Sequence, residues 1–165
     1  MRQASLCLLL KENKESKEIL LAMKKRGFGK GRWNGVGGKI DPKKGDKDIV
    51  DAAVRETEEE IGVKIKSLNK VAVMDFRFPE VPKEKDYDQQ VHVFLVGDWE
   101  GEPIETEEMA PKWFKVNEIP FDEMWDDDKY WLPHVLENRK LKAKFAFDKK
   151  DKIVEQVIEF MEELK

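Results

Sequence analysis

The chain has 165 residues, 40% apolar and 40% charged, with 31 basic against 35 acidic side chains and a net charge of −4. That length fits one domain, spanning 1–165, that buries roughly two-thirds of the surface an unfolded chain exposes, and the acidic balance excludes broad nucleic-acid binding, which needs a net basic face. Leu6–Leu10 is far too short for a membrane span or a signal-peptide core, and the single Cys7 excludes an internal disulfide, so a reducing cytosol is the expected location.

Ser5–Leu10 is mostly apolar and reads as a buried strand, with Cys7 as a small core residue. Lys11–Glu18 is a charged turn, and Ile19–Met23 resumes the apolar pattern, so the two runs form a hairpin. Gly27–Gly38 is dense in glycine and reads as a loop. Asp48–Ile61 is a helix: Ile49, Ala52, Ala53, Glu56 and Glu60 fall on helical spacing and Gly62 stops it. Val71–Phe78 and Val91–Val96 read as strands separated by a polar loop, Pro79–Gln90, and Trp113–Val116 as a short strand. Asp126–Asp128 precedes a second helix marked by Trp131, Leu132, Val135 and Leu136, and Leu141–Phe147 alternates as a strand should. The tail from Ile153 to Leu164 fits both periods, helix through Val157 and Met161, strand through Val154, Ile158 and Phe160. Strands mixed with two helices indicate an α/β domain.

The chemistry concentrates on the first helix. Glu56, Glu59 and Glu60 stand at i, i+3 and i+4 and share one face. Each like-charged pair costs on the order of 0.2–0.5 kcal/mol, and the last turn of a helix disfavours anions further. A cation among them relieves both penalties, and oxygen-only donors select a hard ion such as Mg²⁺ or Mn²⁺. Arg55 is the nearby counter-charge and can hold Glu59 one turn on. An acidic run by itself is more often a solvated helix face; here Gly35-Val36-Gly37-Gly38 precedes the helix, where bare backbone lets a ligand approach closely.

These residues resemble the Nudix hydrolase box, G-x5-E-x7-R-E-U-x-E-E-x-G-U with U aliphatic. Gly38 matches its first glycine, and Arg55, Glu56, Glu59, Glu60, Gly62 and Val63 match its second half. The loop between Gly38 and Arg55 is three residues longer than the pattern, the middle glutamate falls on Lys47 or on Asp46 beside it, and Thr57 replaces an aliphatic residue. The likeness extends to the MutT-homologue branch that sanitises oxidised purine nucleoside triphosphates, through Met23–Gly35, Glu107–Met109, Trp113-Phe114 and Pro120–Trp131, over about residues 4–148. Val36 and Asp126 depart from that branch.

The resemblance implies a Nudix fold, a mixed β-sheet sandwiched between helices (α/β/α), and hydrolysis of nucleoside triphosphates such as 8-oxo-dGTP to monophosphate and pyrophosphate. Gly37, Glu56, Glu59, Glu60 and Glu108 are its implied Mg²⁺ ligands, with Mn²⁺ as the alternative, and Arg55 completes the catalytic set. Glu60 and Glu108 both qualify as the general base. Ser5, Lys24, Phe28, Asn34, Val36, Gly37, Gly38, Lys39, Phe76, Trp125, Asp126, Asp127 and Asp128 form the implied substrate site. Asn34 offers an amide to a base edge. Phe28, Phe76 and Trp125 can enclose a flat ring, at roughly 1–3 kcal/mol per stack. Burial and mutual repulsion of Asp127 and Asp128 should keep one protonated to donate to a purine O6. Lys24, Lys25, Arg26, Lys30 and Arg32 form a basic stretch suited to a triphosphate. His92 and His134 lack neighbouring ligand residues and read as structural. A monomer acting on a small nucleotide, with neither nucleic acid nor membrane as partner, is the expectation. Two rivals stand beside it: a Nudix enzyme for another nucleoside diphosphate derivative such as a dinucleoside polyphosphate or ADP-ribose, and an inactive nucleotide-binding Nudix module.

Overall fold

The computed structural model describes residues 1–164. Ten main elements follow in order: β1 Arg2–Glu12, β2 Lys17–Lys24, β3 Trp33–Asn34, α1 Ile49–Ile61, β4 Lys64–Arg77, β5 Gln89–Glu100, β6 Met109–Lys115, α2 Asp128–Leu136, β7 Lys140–Phe147 and β8 Ile153–Met161. The strands form one mixed sheet in the order β3-β2-β1-β5-β4-β7-β8, with β6 paired to β2. β1 is the junction: Arg2–Leu9 run parallel to β5, and Leu10–Glu12 turn away to pair antiparallel with β2.

Strand alternation sends side chains to two opposite cores. Cys7 and Leu9 join Ala53, Ile61, Phe94 and Val96 under α1. Leu8 joins Met74, Trp131, Leu132 and Val135 under α2. One helix on each face of the sheet is the expected α/β/α sandwich. Asp48 caps α1, its side chain accepting from Asp51 N–H, and Gly62 ends it at φ 72°, where a side chain would be strained. Burial of Ile61 alone contributes about 1.5–3 kcal/mol.

Several expected boundaries move. β4 starts seven residues before Val71, because register shifts near Ile65, Ser67 and Lys70 break the alternation by which a strand is recognised. β5 runs on to Glu100 through Gly97 and Asp98, and β6 begins at Met109 through Ala110 and Pro111, residues that carry no strand pattern. The glycine loop contains the short β3, paired with Ala22 and Met23. The tail is a strand: β7 offers an open antiparallel edge, and Lys140 to Phe147 pair along Met161 to Ile153. Apolar spacing fitted either form; the free backbone donors and acceptors of β7 decide it. No helix among the described residues is long and apolar enough to cross a membrane.

Candidate active site

The glutamate helix meets the glycine loop at close range. Gly37 N–H donates to Glu60 Oε1 (3.3 Å), and Gly38 lies against Glu56. A Cβ on Gly37, at φ 152°, would stand 2.2 Å from Ser5 O, and one on Gly38 would stand 2.6 Å from the Glu56 carboxyl carbon. Gly37 therefore demands glycine, since its clash is with backbone, whereas a side chain at Gly38 would displace the Glu56 carboxylate. Ser5 stitches the loop to β1, its hydroxyl donating to Gly38 O and accepting from Gly38 N–H, each at 3.1 Å.

Arg55 organises the carboxylates. Its guanidinium donates to Glu56 Oε1 (3.0 Å), to Glu59 Oε2 (3.1 Å) and to both oxygens of Asp46 (2.9 and 2.7 Å). Asp46, not Lys47, is thus the acid of the lengthened loop. The turn Pro42–Lys44, capped by Asp41 and closed by Gly45 at φ 95°, takes up the additional length and returns Asp46 to the arginine, while Lys47 stays exposed. The guanidinium hydrogen bonds hold the Asp46 carboxyl below its usual range against burial. Stability gained through a depressed carboxyl is present above its unfolded pKa and lost as pH falls through the folded one. Asp46→Asn should lower the melting temperature on the order of 5 °C at neutral pH and abolish that acid-side loss; differential scanning calorimetry at several pH values checks both.

Glu60 is the buried member of the cluster. Its Oε2 has no hydrogen-bond partner among the described residues, and burial, then the Glu56 charge and the charge of Glu108, push its carboxyl up to about 8. The loop bearing Glu108 is docked on the end of α1, with Thr106 Oγ1 donating to Glu60 O (2.8 Å) and Ile104 N–H to Ile61 O (2.9 Å). Among the described residues no three His, Cys, Asp or Glu side chains converge as a ready-made cation site. Glu56 and Glu59 are turned to Arg55, and Glu108 to Arg26 (3.5 Å). The donor set still fits a hard divalent ion: it is all oxygen, mutually repulsive, and holds an orphaned buried carboxylate oxygen.

Beside the cluster, on the α2 face of the sheet, lies a cavity of about 430 Å³. Of the expected substrate residues, Ser5, Lys24, Phe28, Asn34, Gly38, Lys39, Phe76, Trp125, Asp127 and Asp128 line it. Asp127 and Asp128 are each 3% exposed. Asp127 Oδ2 accepts from Trp131 Nε1–H (2.7 Å), and Asp127 makes no side-chain capping bond to α2, so it is not a helix cap in function. Burial raises both carboxyls, and Asp128, facing the Asp127 charge, is raised further. Asp128 Oδ2 is buried without a hydrogen-bond partner among the described residues. Phe28 and Trp125 lie 5.1 Å apart at 42°, Phe28 and Tyr87 4.6 Å apart at 43°.

Three expected substrate residues lie outside the lining: Gly37, whose N–H is turned to Glu60, and Val36 and Asp126. Val36 is 3% exposed in the α1-side core, held there by its backbone bridge to Cys7. Asp126 accepts from Ile153 N–H (3.0 Å) and pairs with Lys129 (3.1 Å), outside the cavity. Nor is the basic stretch free as a unit: Lys25 pairs with Glu105, Arg26 with Glu107 and Glu108, and Arg32 with Asp151, while Lys24 lines the cavity. Sequence reading missed Arg2, Phe78, Gln89, Met109 and Phe147 as lining residues. Alternation signals only Phe78, two positions on from Phe76; Arg2 stands an odd number of positions from Ser5, and Gln89, Met109 and Phe147 lie on β5, β6 and β7, where no site residue was expected that shares their face. His92 Nε2 contacts Gln3 Oε1 (2.6 Å), and burial lowers its pKa to about 4, in keeping with a structural role.

A two-helix α/β/α sandwich in which a glycine loop feeds a glutamate-bearing helix beside a sheet-face cavity is the architecture of Nudix proteins, and residues 1–135 match the NUDIX domain model. The chain belongs to the Nudix family. It is 43% identical over 140 residues to a mouse protein and 41% identical over 146 residues to a zebrafish protein, both named oxidized purine nucleoside triphosphate hydrolase; the matches cover 85% and 88% of this chain and 85% and 89% of those proteins. In structure it is similar to a MutT protein of Bacillus halodurans, with TM-score 0.79 at 22% identity over 96% of this chain and 98% of that one.

Proposed function

We propose that the chain hydrolyses oxidised purine nucleoside triphosphates, of the 8-oxo-dGTP kind, to the monophosphate and pyrophosphate, and so clears damaged precursors from the nucleotide pool. The observation that carries this reading is the buried Asp127–Asp128 pair in an aromatic-lined cavity of about 430 Å³, a volume in the ordinary range for small-molecule sites. A pair that retains one proton presents a donor and an acceptor side by side, complementary to a purine O6 and the adjacent N–H of the same edge. Asn34 and the rings of Phe28 and Trp125 complete the base site. The mouse and zebrafish relatives carry a name for the same activity.

Glu56, Glu59 and Glu60, with the Gly37 carbonyl and Glu108, are the groups to hold Mg²⁺, which supplies charge neutralisation of the phosphate chain and a more acidic water. The residues of the chain do the rest. Arg55 splays Glu56 and Glu59, Lys24 and Lys39 meet the anionic chain at the cavity, and Glu60 or Glu108 takes the proton of the attacking water. The base at one end and the glutamate helix at the other fix the phosphate chain between them, which lowers the entropic part of the barrier.

Hydrolysis of 8-oxo-dGTP with Mg²⁺ in ¹⁸O-water should give monophosphate and pyrophosphate, with label in the pyrophosphate, as attack at the β-phosphorus requires. Label in the monophosphate would move the attack to the α-phosphorus. Release of inorganic phosphate and diphosphate would sink the reaction assignment.

A further inference from the structure

The turn between β7 and β8 lies beyond residues 1–135, the part matched to the NUDIX domain, yet it reaches back to the cavity mouth. Three contacts fix it there. Arg32 Nη2 donates to Asp151 Oδ2 (2.9 Å), Ile153 N–H to Asp126 Oδ2 (3.0 Å), and Lys149 N–H to Glu80 Oε2 (2.9 Å). The Arg32 guanidinium carbon sits 4.0 Å from the Trp125 ring centroid, a cation–π arrangement. Arg32 borders both the cavity and a shallow outer groove formed with Gly27–Gly31; Asp151 borders the groove alone. The guanidinium thus lies over one face of the indole, between the cavity and the outer groove, with Asp151 on the groove side.

We propose that Arg32 and Asp151 are positioning residues for purine recognition: Asp151 fixes the Arg32 guanidinium against one face of Trp125, and the indole is thereby pre-set for the base that stacks on its other face. This rests on the reading of Trp125 as a base-stacking residue. It also explains Asp126, whose carboxylate anchors the turn carrying Asp151 and leaves the base contacts to its two neighbours. An ion pair whose side chains are 30% and 36% exposed contributes little to stability. Its effect is on orientation, because planar guanidinium both stacks and bonds in a fixed plane, which an ammonium does not.

The test uses the full chain with Asp151→Asn, Arg32→Gln and Arg32→Lys. Asp151 has φ 60°, a conformation asparagine adopts readily, so Asp151→Asn should leave the turn intact. Each variant should raise KM for 8-oxo-dGTP, and the Kd of 8-oxo-dGMP measured calorimetrically without Mg²⁺, by roughly five- to tenfold, with kcat changed by less than about twofold. Melting temperature and KM for a pyrimidine triphosphate should hold. Asp151→Asn combined with Arg32→Gln should be no worse than either alone, because the two act as one unit. Unchanged KM and Kd, additive effects, or equal losses for purine and pyrimidine would each overturn the inference. A wild-type protein that neither binds 8-oxo-dGMP nor cleaves 8-oxo-dGTP would remove the functional reading itself and this inference with it.

Discussion

Replacing Glu60 with Gln is expected to lower turnover by two or more orders of magnitude, the scale for loss of a base or of a charge that stabilises the transition state. The same change should leave the metal-free protein as stable or more so. Glu60 is 3% exposed, one of its oxygens has no partner among the described residues, and its carboxyl is raised to about 8. A folded-state pKa above the unfolded one means that the folded protein holds the extra proton between about pH 4.5 and 8. The stabilisation is complete below that window and is lost as pH rises through it. Wild-type protein in chelator should therefore melt progressively lower from pH 5 to pH 8, and Glu60→Gln should flatten that slope, since an amide keeps the Gly37 N–H bond without ionising. Glu59→Gln should share the loss of turnover; Glu59 is half exposed and paired with Arg55 and Lys44. Full activity in either variant would remove the metal-site assignment.

The sheet and both helices were legible because their apolar residues recur at the right period, and because Asp48 and Gly62 mark the ends of α1 with unambiguous chemistry. The length of β4 was not, since its first half is Lys, Ser and Asn at bulges, where no face is continuously buried. The tail was undecidable for a different reason. Its pattern serves two structures, and the choice is made by β7, a partner whose free edge no local pattern reveals.

At the site, the motif gave residues but not the faces they occupy. Val36 sits within the glycine loop beside true lining residues, and its backbone bridge to Cys7 turns it into the opposite core. Three adjacent aspartates look alike in sequence. Only the start of α2 separates them, sending Asp127 and Asp128 inward under Trp131 and Asp126 outward to Ile153. Counting along the loop put Lys47 where an acid belongs; a single compact turn at Pro42–Lys44 brings Asp46 there instead. Spacing reveals such an insertion but not where the chain absorbs it, and it is cheap in structure, as loop length costs little closure entropy.

Asp128→Asn should shift the ranking of purine triphosphates by roughly ten- to hundredfold while the Mg²⁺-dependent rate at saturation falls far less, because a buried polar group left unpaired against the base costs on the order of 1–3 kcal/mol. The direction follows from the proton. Asp127 Oδ2 accepts from Trp131 Nε1–H, which favours the charge there, and Asp128, raised by burial and by that charge, is the member expected to carry the hydrogen and donate. Asparagine still donates, but its amide is larger on that side and it cannot exchange the proton with Asp127. A base that needs the reverse arrangement, acceptor at Asp128 and donor at Asp127, should lose most. Asp127→Asn acts differently, since Asp127 Oδ2 accepts from buried Trp131 Nε1–H, and an amide oxygen there leaves its NH₂ facing Asp128. Burial raises Asp128 most, but the change should remove the Asp127 charge that raises it further and turn an NH₂ donor toward it, which shifts the floor toward an acceptor at Asp128. Measured kcat/KM values for 8-oxo-dGTP, dGTP and an oxidised dATP in both variants test this: the two substitutions should reorder the substrates in different ways. Identical rankings in wild type and both variants would reduce the pair to a structural start of α2.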